Sequence, residues 1–110
     1  MQMQIKEAGS TATLVMVGRL DIPGAEIVAL PLATLSGSKS ELIIDMAGVT
    51  FIASIALRHF TTAAKVVRRR GGRLRLLNPA AAVAGVIRAS GLIEYLPIER
   101  AAPSDALAAA

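Results

Sequence analysis

Strand-length apolar runs alternate with single helix-length segments along this chain, and that alternation constrains the fold more than any other feature. Thr13-Leu-Val-Met-Val17, Glu41-Leu-Ile-Ile-Asp45 and the pair Leu74 and Leu76 are each separated from the next by one stretch of helical length. Strands joined by one helix must run parallel, through crossovers that are normally right-handed and that cover the sheet with helices. The start of the chain departs from this rule. Met1, Met3 and Ile5 alternate with Gln2, Gln4 and Lys6, which predicts a strand with one wet face. Ala8-Gly9-Ser10 supplies a turn, so this strand pairs with Thr13–Val17 as a hairpin. The expected class is α/β, a mixed and mostly parallel sheet of four to five strands with about four helices. At 110 residues the chain has the size of one domain, spanning residues 1–110.

The remaining elements follow from stop and start signals. Asp21 is placed to cap a helix running from about Pro23 to Leu35, and Pro31 inside it predicts a kink or break costing about 3 kcal/mol. Ser36–Ser40 reads as a loop. Glu41–Asp45, apolar between its end residues, is expected at the sheet centre, and Thr13–Val17 is expected to be covered on both faces. Leu57, Phe60, Ala64 and Val67 then recur at helical steps, with Ser54 at the N-cap position and Arg68-Arg-Arg70 before Gly71-Gly72 as a strong stop. Leu74 and Leu76 alternate with Arg73 and Arg75 as a one-sided strand. Asn78-Pro79 is expected to cap a third helix bearing Val83, Val86 and Ile87, ended by Ser90-Gly91. Leu92 to Ile98, interrupted by Pro97, reads as an edge strand, and a last helix is expected from Ser104.

Several function classes are poorly supplied. Without cysteine there are no disulfides, thiolate nucleophiles or thiolate metal ligands, which fits a reducing compartment. His59 is the only histidine, so a two-histidine metal site is excluded, and its place inside the core-packing helix predicts a structural or solvated role. The eight carboxylates are scattered; Asp45, at a strand end, is expected to bond the loop that follows. Gly71-Gly72 closes a helix and therefore matches neither phosphate-loop motif. No catalytic residue, cofactor or metal is expected. Hydrophobic residues make up 54% of the chain, yet no stretch reaches the roughly 18 apolar residues of a membrane span, and no signal peptide opens it, so a cytoplasmic protein without membrane insertion is expected. Lys65, Arg68, Arg69, Arg70, Arg73 and Arg75 form a basic cluster within eleven residues. Helix-end cations and the wet side of a strand account for it better than nucleic acid does.

The most informative stretch runs from Asp45 to Leu57, joining the expected central strand to the longest helix and delivering Ser54 to the helix start. There unpaired backbone N–H groups and the positive end of the helix dipole welcome negative charge. A phosphate on Ser54 would add about two negative charges to the surface without unfolding the helix.

In these residues the chain resembles the STAS domain, the fold of bacterial anti-sigma-factor antagonists. Four matches carry the resemblance: Gly18-Arg-Leu-Asp21, Ile44-Asp-Met-Ala-Gly-Val-Thr-Phe-Ile52, Gly71-Gly-Arg-Leu74, and Asn78-Pro79 with Ser90-Gly-Leu92. In that family Phe-Ile is followed by Asp-Ser-Ser/Thr-Gly-Leu, whose first serine is phosphorylated by a partner that is both anti-sigma factor and histidine-kinase-like serine kinase. Residue by residue, that serine is Ser54 and the leucine is Leu57, whereas Ala53 replaces the acid, Ile55 the second hydroxyl residue and Ala56 the glycine. Asp21 aligns with an acidic residue close to the phosphoacceptor. The resemblance implies a non-catalytic interaction module that docks an anti-sigma factor through Asp21, Thr50, Ala53, Ser54, Ile55, Ala56 and Arg58, with phosphorylation at Ser54 as a switch. The alternative it leaves is a STAS adaptor subunit of an ABC-type membrane transporter complex. Self-association is left open by both.

Overall fold

The computed structural model describes residues 1–101. Five strands, β1 (Gln2–Ala8), β2 (Thr11–Leu20), β3 (Glu41–Ile52), β4 (Arg73–Leu77) and β5 (Ile98–Glu99), lie side by side in the order of the chain, β1-β2-β3-β4-β5. The first pair is an antiparallel hairpin and every later pair is parallel. Three helices make the crossovers: α1 (Ile22–Ser38), α2 (Ser54–Arg69) and α3 (Ala81–Ala89). Since the sheet grows in one direction only, right-handed crossovers place all three on the same face. Their buried residues, including Val28, Phe60, Val67 and Ile87, form one core with Leu14, Met16, Leu42, Ile44 and Leu76 of the strands. The expected class and the central place of Glu41–Asp45 are therefore observed. The fourth helix expected from Ser104 lies outside the described residues.

Several local expectations are corrected. Pro31 does not break α1, which continues without interruption to Ser38. The carbonyl that loses its partner belongs to Ile27, half exposed, where water can satisfy it. The expected loop at 36–38 is the last turn of that helix, with the Ser36 and Ser38 hydroxyls bonded to the carbonyls of Ala33 and Thr34. Nor is β2 covered on both faces: Thr13 is buried but Val15 is half-buried and Val17 exposed. Asn78 does not cap α3, whose N-cap is Ala80. It adopts a left-handed conformation at φ 53°, tolerated by asparagine, and its amide bonds both backbone groups of Ala101 at 2.7 and 2.8 Å. Val86, expected on the buried stripe, is exposed. The edge strand at 92–98 contracts to Ile98–Glu99, although the carbonyl of Pro97 still accepts from Leu76 N at 2.8 Å.

The greatest departure is the length of β3, which runs seven residues past Asp45. Against β2 its register slips twice, between Asp45 and Gly48 and between Val49 and Phe51. Each slip adds one residue to β3, so the alternation of inward and outward side chains resets there. The Asp45 carboxylate accepts from Ala47 N at 3.1 Å, the role expected of it, and thereby supports the first bulge.

Candidate functional site

β2 and β3 are parallel and end together, which brings Arg19, Leu20 and Asp21 alongside Phe51, Ile52 and Ala53 at their carboxyl ends. Ala53 N donates to Leu20 O at 2.8 Å, closing the pair, and α1 and α2 depart from adjacent points. In parallel sheets this edge is where binding sites form.

The two helix starts are built differently. Asp21 caps α1 as expected: its Oδ1 accepts from Gly24 N at 2.9 Å and its Oδ2 lies 3.6 Å from Arg19 Nε. Glycine is required at 24, since a Cβ there would stand 2.1 Å from the carbonyl oxygen of Arg19. The N-cap of α2 is Ala53, not Ser54, so the start of α2 has no side-chain cap. Ser54 is the first helical residue and is exposed. The carbonyl of Ala53 takes the bonds from Ala56 N and Leu57 N, while the first-turn N–H groups of Ser54 and Ile55 point out of the helix end. The first turn of α2 has no acidic residue. Thr50 is exposed, its hydroxyl 3.4 Å from Gly18 O. Arg58 is exposed one turn after Ser54, on the same side of the helix.

Of the residues proposed from the sequence to meet a partner, Asp21, Thr50, Ala53, Ser54 and Arg58 thus stand at one rim with exposed or half-exposed surfaces. Ile55 is half-buried and packed on the core, leaving only part of its side chain available. Ala56 is corrected: it has no exposed surface, because it faces the sheet from the first turn of α2, and it cannot touch a partner. Phe51 and Arg19 also belong to the rim: Phe51 lies within the 50–56 stretch expected to dock a partner but is not singled out by the sequence, and Arg19 is not part of that expectation. Phe51 is 40% exposed under the Arg19 guanidinium, which sits 4.4 Å from the ring centroid. Its neighbour Val86, 45% exposed, lines with Thr50 and Phe51 a shallow cleft between β3 and α3. The second bulge turns Phe51 outward, and a strict strand pattern gives no hint of that reversal.

The rim carries no nucleophile and base in partnership, and among the described residues no three His, Asp or Glu side chains are grouped as metal ligands. What it offers is an exposed hydroxyl at the positive end of a helix, beside a carboxylate and an apolar ring. The sequence model of the STAS domain matches residues 2–103. The chain belongs to the STAS family. Within that family its fold is shared with the anti-sigma factor antagonist SpoIIAA in its unphosphorylated form, with a TM-score of 0.82, 22% identity, and coverage of 96% of this chain and 93% of that one. An anti-sigma factor antagonist from Mycobacterium paratuberculosis superimposes with a TM-score of 0.80 at 19% identity, covering 98% and 92%. The murine anion transporter Slc26a9 is a more distant likeness, with a TM-score of 0.66 and 22% identity over 81% of this chain and 15% of the transporter. No curated protein matches the chain. Among the described residues no helix is long and apolar enough to cross a membrane.

Proposed function

We propose that this STAS chain is a non-catalytic anti-sigma-factor antagonist that docks an anti-sigma factor with serine-kinase activity through the rim formed by Asp21, Thr50, Phe51, Ala53, Ser54 and Arg58. The observation that carries the reading is Ser54: exposed, first in α2, on the rim that Asp21 also occupies, and free of the capping duty that would occupy its hydroxyl. The fold it stands on is that of SpoIIAA, a protein solved in an unphosphorylated and in a phosphorylated form. Phosphorylation would place a doubly charged group at the rim, next to Ile55, in a surface that docking desolvates, where an unpaired charge costs several kcal/mol. That lowers affinity by orders of magnitude. Ala53 and Ile55 make the unmodified rim more apolar than the family pattern, which favours docking over hydration.

The test uses an anti-sigma factor with serine-kinase activity from the same organism. The unmodified chain binds it, incubation with ATP adds one phosphate to Ser54, and the modified chain is released. No binding ends the antagonist reading; binding without a mass increase on Ser54 ends the switch alone. A second reading, a STAS adaptor in a transporter complex, draws on the likeness to the Slc26a9 transporter and on the apolar replacements at 53, 55 and 56. Co-purification with an ATP-binding-cassette subunit and not with a kinase selects it.

A further inference from the structure

The basic cluster from Lys65 to Arg75 is not one surface. Arg75 is held between Glu41 and Glu99, Arg73 lies 3.4 Å from Glu41, and Arg70 donates to the carbonyls of Ser36 and Lys39 at 2.9 and 2.7 Å. Lys65, Arg68 and Arg69 are different. Among the described residues none of them has a carboxylate partner, and all three open onto one groove of about 320 Å³ that they line together with Tyr95. The Lys65 ammonium stands 5.2 Å and the Arg68 guanidinium 5.1 Å from the centroid of the Tyr95 ring. Tyr95 is fixed in place: its side chain packs against the core, its backbone N–H donates to Leu92 O at 3.0 Å, and the next residue, Leu96, is fully buried.

We propose that this groove is a binding site for a compact anion of the phosphate class carrying at least two negative charges. Positions 65, 68 and 69 are related by three and four residues, so three like charges crowd one helix face, an arrangement that repels itself until an anion lies between them. The negative end of the α2 dipole accounts for Arg68 and Arg69 in the last turn, but not for Lys65 a turn earlier nor for the ring beneath it. With two cations already against its ring, Tyr95 acts as a platform that holds donors in place, so the ligand is selected by charge and not by a flat base. Fourteen residues of helix separate Arg68 from Ser54, about 21 Å, and the groove is therefore a site of its own, independent of partner docking at the rim. The phosphate could be free in solution or the headgroup of a lipid.

Tyr95 is the only tyrosine of a chain without tryptophan, so its intrinsic fluorescence reports this groove alone. Titration with pyrophosphate at constant ionic strength is expected to give a saturable change in emission. The double variant R68A/R69A, with helicity checked by circular dichroism, binds at least about tenfold more weakly, because two charge-assisted hydrogen bonds are lost; Lys65→Gln weakens binding by a smaller factor. Vesicles of phosphatidylcholine, with and without phosphatidylglycerol, identify the source. Binding to pyrophosphate only assigns a free phosphate, and added binding to the anionic vesicles that the same substitutions abolish assigns the headgroup. A response that never saturates, one that sodium chloride reproduces, equal affinity in the double variant, or binding of random duplex DNA with no response to pyrophosphate overturns the proposal.

Discussion

α1 and α2 start from neighbouring points on the same sheet edge, yet one start is sealed and the other left open. At α1, the Asp21 carboxylate satisfies a first-turn N–H and the close approach of Gly24 to Arg19 locks the turn. At α2, Ala53 caps with backbone alone and the first turn carries no acid. A chain that can build a side-chain cap a few ångströms away has no general shortage of polar residues there. The open end is where an external negative group gains most, which is why the contrast bears on function.

Substitutions can break this contrast or sharpen it, and they order themselves by size. Gly24→Ala forces a methyl group into the Arg19 carbonyl and is expected to destabilise the fold by about 3 kcal/mol, the upper end for overpacking, read from chemical denaturation. Asp21→Ala removes the α1 cap and costs about 1 kcal/mol in the same measurement. Ala53→Asp, by giving α2 the cap it lacks, is expected to gain about 1 kcal/mol; a loss would show that the open end is already satisfied. Ser54→Asp adds a charge at the first helical position and stabilises by roughly 0.5 kcal/mol at low salt, a gain that fades in 1 M sodium chloride as screening shortens its reach. Arg58→Gln in the Ser54→Asp background loses about 0.3 kcal/mol of that gain, the worth of an acid and a base one turn apart.

Most of the architecture could be read from the chain because burial and periodicity agree wherever the elements are regular. The stripe Leu57, Phe60, Ala64 and Val67 is buried along α2, and Glu41–Asp45 lies at the centre of the sheet. The rim was harder to read because it is made of exceptions. Two bulges reset the inward and outward alternation of β3 after Asp45, hiding seven further strand residues and the outward turn of Phe51. Serine prefers the cap position and alanine does not, which predicts Ser54 as the N-cap; the backbone of Ala53, paired to Leu20, instead makes Ala53 the cap and Ser54 the first helical residue. The basic cluster is continuous in sequence but divided in the fold, because which cations are neutralised depends on Glu41 and Glu99, both more than twenty residues away from Arg75.

The sheet is laid down in the order of synthesis, and this bears on how the chain acquires its structure. Every strand after the first joins a neighbour that has already left the ribosome, and none waits for a later segment to be inserted between two earlier ones. Assembly can proceed edgewise from the local hairpin, each crossover closing a loop of modest entropy, so nascent intermediates present one growing edge at a time for a chaperone or an errant copy to capture.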